Sequence, residues 1–259
     1  ARRAAEQWRR TQELLEERSG VAETLQRAML TQLPQGDGLA LAARYLPAHA
    51  RDAVGGDWYD AFDTPDGATV VAVGDISGHD ITAAADMGQL RTLLRGYAVD
   101  RHEAPSATMA RLDRAMGVLG VDALATVVLG RVECDGAGGR TFRWTNAGHP
   151  PPLLLQPDGR VEVLTPPVEI LVGVRPETRR SDHVVPLPAD STLLLYSDGL
   201  IEQRAGGRDI DVGTAQLVAS LTGQTGGSLD ELLDRVLAPV VRVRDDDVVV
   251  LAIRPDRRS

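Results

Sequence analysis

The chain has 259 residues, of which 43% are hydrophobic and 25% charged, and its formal net charge is −9. That length can bury a full core, while the acidic balance excludes a general nucleic-acid binder, whose surface must neutralise phosphates. One cysteine, Cys134, excludes a disulfide framework and fits a reducing cytoplasm, and no apolar run approaches the ~20 residues of a membrane span.

Ala1 opens in mid-pattern, so the chain is expected to be cut from something longer. Residues from about Arg3 to Gln32 read as one long helix, rich in Glu, Gln, Arg, Ala and Leu and free of proline until Pro34. Trp8, Leu15, Ala22 and Met29 recur every seven residues, with Leu14, Val21 and Ala28 beside them. Thr11 and Arg18 interrupt the second seam, which leaves two readings. The helix either packs on its own domain or continues from a missing upstream sensor domain and forms a homodimer. Residues 1–34 are accordingly set apart as a linker or signalling helix, and 35–259 as the main domain.

From Leu39 the period changes. Leu39 to Tyr45 and Trp58 to Phe62 read as strands, and Ala68 to Ile76 as a buried strand entered through the turn Thr64-Pro65-Asp66-Gly67. Helical patterns follow at Ile81 to Tyr97 and Pro105 to Leu119. A second block of strands covers Ala123 to Val132, Thr141 to Asn146, Pro152 to Gln156 and Arg160 to Leu164, joined by tight turns that force antiparallel pairing. Ser191 to Tyr196 is a further strand, then come helices at Gly213 to Leu221 and Ser228 to Leu237, and a last strand at Val248 to Ile253. Strands and helices do not alternate as in a doubly wound fold. The expected class is α+β, with antiparallel sheets and helices on the outside.

Gly56-Asp57, Gly74-Asp75, Ser197-Asp198-Gly199 and Asp246-Asp247 share one arrangement: each places a carboxylate at a strand end beside glycine or a turn. One such aspartate is ordinarily a cap or turn former. Four at strand ends of one architecture can converge on its rim, where hard divalent cations neutralise charges that would otherwise repel.

The ordered runs GGDWYDAF, GDISGHD, NAGHPPPLLL, LLLYSDGLIE and DDDVVVLAIR resemble the phosphatase domain of stage II sporulation protein E and RsbU. These are metal-dependent serine/threonine phosphatases of the protein phosphatase 2C (PPM) superfamily. The resemblance spans about Leu25 to Arg254. It implies a two-layer antiparallel β-sandwich flanked by α-helices, with two Mn²⁺ or Mg²⁺ ions at one end. By the same resemblance Asp75 bridges both metals, the Ile76 carbonyl completes one coordination sphere, Asp57 serves one ion, and Asp198 with Asp246 the other. The triple Asp245-Asp246-Asp247 leaves that last ligand open by one position, so Asp247 stays a candidate. Two ions ~3.5–4 Å apart acidify a water for in-line attack on phosphorus, and no covalent intermediate is needed. Cys134 lacks the phosphate-cradling loop of a cysteine phosphatase.

Where the family usually reads Gly-His-Gly this chain has Gly78-His79-Asp80. Asp80 is either the N-cap of the following helix or an added carboxylate near the metals. His79 and His149 are each either a general acid for the leaving serine oxygen or a loop histidine bonded to backbone. His49, His102 and His183 form no constellation and read as surface residues. Arg51 could reach a substrate phosphate.

The resemblance further implies a cytoplasmic enzyme whose substrate is a phosphorylated anti-anti-sigma protein of the STAS fold, so that dephosphorylation regulates a sigma factor. Two other readings stay open: a catalytically impaired signalling module that binds the same partner, and a metal-dependent hydrolase of small phosphoesters.

Overall fold

The strand Thr69–Ile76 has no polar face: every residue but Asp75 is buried. A strand like that must be covered on both sides, and the architecture supplies both covers. In the computed structural model the described residues are 31–35, 38–48, 55–78, 81–136, 138–202, 209–240 and 246–256. The expected N-terminal helix lies outside them except for Thr31 and Gln32, which carry no regular structure.

Among the described residues, ten strands form two antiparallel sheets. Sheet 1 has the order β1-β10-β9-β6-β7, from β1 (Leu39–Leu46), β10 (Val248–Pro255), β9 (Thr192–Tyr196), β6 (Leu153–Leu155) and β7 (Val161–Val163). Sheet 2 has the order β2-β3-β4-β5-β8, from β2 (Asp57–Asp63), β3 (Thr69–Ile76), β4 (Ala125–Cys134), β5 (Arg140–Ala147) and β8 (His183–Leu187). Helices α1 (Ile81–Asp100) and α2 (Pro105–Leu119) cover sheet 2; α3 (Gly199–Glu202), α4 (Ile210–Leu221) and α5 (Leu229–Leu237) lie with sheet 1.

The period of two decides which side each residue joins. Along β9, Leu193 and Leu195 enter the core between the sheets with Val71, Val73, Val128, Phe142, Val249 and Leu251. Leu194 and Tyr196 face outward to Leu217, Leu221 and Leu233 of α4 and α5. On the other side, Ile76 and Val127 meet Met87, Leu90 and Leu94 of α1 and Met109, Leu112 and Met116 of α2. α1 buries Ala83, Ala84, Met87, Leu90, Leu94 and Ala98, a spacing of three and four that keeps one stripe on the sheet.

Sequence reading misses β8. Pro186 argues against a strand, but β8 is the edge of sheet 2, where a missing N–H costs no ladder bond. His183, read as a surface residue, is half-buried in that strand with its ring 5.1 Å from Trp144.

Arginines paired with two buried aspartates tie helices to the sheets and loops. Asp60 of β2 is buried and lies 3.3 Å from Arg91 and 2.9 Å from Arg95 of α1. Arg180, in the connection before β8, is buried 3.0 Å from Asp113 of α2 and also donates to the Leu171 carbonyl. Among the described residues no helix is long and apolar enough to cross a membrane.

Candidate metal centre

Antiparallel pairing brings the four acidic motifs to one end of the sandwich. β2 begins where β3 ends, and Asp57 stands directly opposite Asp75 in the register. β9 ends where β10 begins, with Tyr196 opposite Val250, so Asp198 and Asp246 follow and precede paired strands. Each sheet thus contributes two carboxylates from neighbouring strands. Like charges directly opposite each other destabilise a ladder, so the Asp57–Asp75 pairing demands compensation.

Asp57, Asp75 and Asp198 each place a carboxylate oxygen within 4.8 Å of the others. Asp246 is not in that group; it is exposed, and its carboxylate accepts the Asp247 N–H at 2.8 Å. Asp247 is buried and turned towards the end of β1: one oxygen accepts the Ala48 N–H at 2.7 Å, and the Tyr45 hydroxyl bonds to it. Asp246 is therefore the member of the pair left at the rim.

The three clustered acids resist ionisation. Burial, then the charge of Asp75, pushes Asp57 well above the usual carboxylate range. Burial and the neighbouring Asp198 push Asp75 up to about 7. Asp198 is pushed up to about 6 by burial and by Asp246. Asp57 Oδ2 and Asp198 Oδ1 are also buried without a hydrogen-bond partner among the described residues. Oxygen donors that repel one another and are left unsatisfied suit a hard cation.

The glycines make this crowding feasible. A Cβ on Gly56 would lie 2.5 Å from the Ile76 carbonyl oxygen and 3.1 Å from the Asp75 carboxylate. The Ile76 N–H donates to the Gly56 carbonyl at 3.2 Å, which fixes the peptide after Asp75 against β2. A Cβ on Gly199 would come 2.0 Å from the Asp247 carbonyl, so only glycine lets the turn after Asp198 lie on the start of β10.

His149 is buried behind this rim. Its Nδ1 is 2.8 Å from the Thr126 hydroxyl, its Nε2 3.1 Å from the Tyr196 carbonyl, and Asn146 holds its backbone from both sides. Burial holds its pKa down to about 3, so the ring is neutral. Both nitrogens are engaged, as in the backbone-bonded reading. His79, Asp80, His49 and Arg51 lie outside the described residues, so the cap and general-acid readings there stand as expectations.

Sequence reading passed over Ser197, Thr126 and Tyr45. Ser197 is buried within a quoted motif; its hydroxyl accepts the Val249 N–H at 3.0 Å and hydrogen-bonds Asp57 across the sheets. Thr126 and Tyr45 gave no signal, because their significance comes from strand register alone.

A model of the stage II sporulation protein E (SpoIIE) family matches residues 65–256. Among solved structures, the RsbU and RsbW domains of Rv1364c from Mycobacterium tuberculosis are 29% identical with a TM-score of 0.74, over 89% of this chain and 63% of that one. The chain thus spans less than two thirds of that relative. The SiaA-PP2C domain of Pseudomonas aeruginosa gives 19% identity and a TM-score of 0.74, covering 95% and 99%. The catalytic domain of the serine/threonine protein phosphatase PstP, solved with two manganese ions, gives 16% and 0.62, covering 84% and 98%. The latter two establish likeness of fold. With most of its length matched by the family model, the chain belongs to the SpoIIE family, and it shares its two-sheet sandwich with the solved PP2C phosphatase domains.

Proposed function

We propose that this domain hydrolyses phosphoserine or phosphothreonine on a protein, using two Mn²⁺ or Mg²⁺ ions held at the open end of the sandwich. The observation that carries this reading is the meeting of Asp57, Asp75 and Asp198 within 4.8 Å from three strand ends and both sheets. The unsatisfied buried oxygens of Asp57 and Asp198, with the raised pKa values of all three acids, supply a donor set that fits such ions.

Asp75, opposite Asp57 in the β2–β3 ladder and within 4.8 Å of Asp198, would hold the ions together with both. Asp57 and the Ile76 carbonyl would offer oxygens from sheet 2, and Asp198 with Asp246 from sheet 1. Divalent ions in such a pair acidify a water for attack and offset charge on the phosphoryl oxygens. The carboxylates fix where the ions sit, and Ser197 orients Asp57 through its hydroxyl.

The substrate is a phosphorylated anti-anti-sigma protein of the STAS fold in the cytoplasm, and its dephosphorylation regulates a sigma factor. Support comes from the RsbU likeness and from the SpoIIE family match. The N-terminal segment 1–34 would link the domain to an upstream sensor and carry a dimer contact. The test is phosphate release from a panel of phosphorylated STAS proteins, with and without Mn²⁺, by wild type and Asp75→Ala. Turnover only in wild type with Mn²⁺ is expected; equal background rates would overturn the enzyme reading. Equal rates on small phosphoesters and on every phosphoprotein would overturn the protein substrate.

A further inference from the structure

His149 belongs to neither sheet but touches both. Thr126, which bonds its Nδ1 at 2.8 Å, is the residue of β4 paired with Asp75. Tyr196, whose carbonyl lies 3.1 Å from its Nε2, is the last residue of β9, two before Asp198. A carbonyl can only accept, so Nε2 carries the proton and Nδ1 accepts from the Thr126 hydroxyl. The backbone of the ring is fixed in turn: Asn146 Oδ1 accepts the His149 N–H at 2.7 Å and Asn146 Nδ2 donates to the His149 carbonyl at 2.8 Å. His149 is 5% exposed and spends its one N–H on Tyr196, leaving nothing to give a leaving group.

We propose that His149 is a positioning residue that sets the distance between the Asp75 and Asp198 strand ends, and hence how tightly the site takes divalent ions. The apolar layer between the sheets sets their spacing without directional bonds; at the rim the Ser197–Asp57 hydrogen bond is one polar tie across them and the His149 bridge is a second. A directional hydrogen bond at each end of a rigid ring adds a fixed length between the Asp75 and Asp198 strand ends, where the carboxylates must meet. Groups that orient a metal's ligands from behind typically change its affinity 10- to 100-fold when removed.

This inference rests on the two-metal reading, and the test separates the two. Mn²⁺ binding to the full chain is titrated calorimetrically, with thermal melts alongside, for wild type, Asp75→Asn, His149→Ala, His149→Gln, Thr126→Val and the double variant His149→Ala/Thr126→Val. Wild type should bind and Asp75→Asn should lose binding; failure of either overturns the metal reading and the positioning role with it. His149→Ala should bind Mn²⁺ about 10-fold more weakly, and Thr126→Val several-fold more weakly. His149→Gln, which can keep a donor near the Tyr196 carbonyl, should recover part of the loss. The double variant should be no worse than His149→Ala, because both substitutions cut one bridge. Lower melting temperatures with wild-type Mn²⁺ affinity would mean that His149 is merely structural and would overturn the inference. Should His149→Ala fail to fold, Thr126→Val and His149→Gln decide the matter in the same way.

Discussion

Asp60 sits three residues along β2 from Asp57, and the Arg95 guanidinium of α1 lies 2.9 Å from its carboxylate. The strand that carries one acid of the candidate metal centre is therefore tied to the helix that follows Asp75. Thr31 joins the same group, donating to Asp60 at 2.6 Å. Asp60→Ala removes a buried anion from Arg91, whose side chain is 15% exposed, and from Arg95, whose side chain is 38% exposed. It should cost about 3 kcal/mol, the low end of the ~3–5 kcal/mol of a fully enclosed pair, because Arg95 keeps access to water while the Arg91 Nε is buried. Urea unfolding of the metal-free protein measures it.

Arg180 and Asp113 offer the contrasting case, since both side chains are fully buried at 3.0 Å. Arg180→Met strands the Asp113 carboxylate and frees the carbonyls of Ile170 and Leu171, both of which Arg180 bonds. A loss of about 3–5 kcal/mol is expected. A shift in urea midpoint equivalent to less than 1 kcal/mol would contradict the pairing.

The metal-free protein should grow less stable as pH rises. Asp75 and Asp198 are held at about 7 and about 6, above the ordinary carboxylate value of 3.8. In that window the native state binds more protons than the unfolded chain. Stability from this source is complete below 3.8 and is lost as pH climbs through 6 and 7. The urea midpoint in EDTA should be higher at pH ~5 than at pH ~8, and Mn²⁺ should raise it most at the higher pH, where protons no longer compete.

Gly56→Ala should damage the site more than the fold. Its Cβ would meet the Ile76 carbonyl at 2.5 Å, so the β2 and β3 ends must part. Mn²⁺ affinity is expected to fall at least 10-fold, with a stability cost of about 1–3 kcal/mol. Gly67→Ala provides a control away from the centre, where a Cβ meets nothing within 4 Å; its positive φ should lower stability modestly while Mn²⁺ affinity stays unchanged.

Nearly every strand and helix was legible because each buried face leaves its own period: the unbroken apolar run of β3, or the Leu229, Leu232, Leu233 and Val236 stripe of α5. β8 was hidden because Pro186 and an exposed Val184 make an edge strand resemble a loop. At the site, Asp57, Asp75 and Asp198 could be named from glycine-flanked motifs, for their chemistry requires small neighbours. What stayed invisible depends on pairing. Thr126 becomes relevant only because β4 lies beside β3 in one register, and Asp60 only because α1 returns over β2. No local pattern encodes either.

The apolar layer between the sheets carries a further consequence. Two carboxylates stand on each jaw of a caliper whose opening is set by Val73, Val128, Leu195 and Leu251, all buried in the layer between the sheets. Facing sheets pack about 10 Å apart, and that gap follows side-chain volume. Ion preference could therefore drift through methylene-sized changes deep in the interior, with every acid at the rim unaltered.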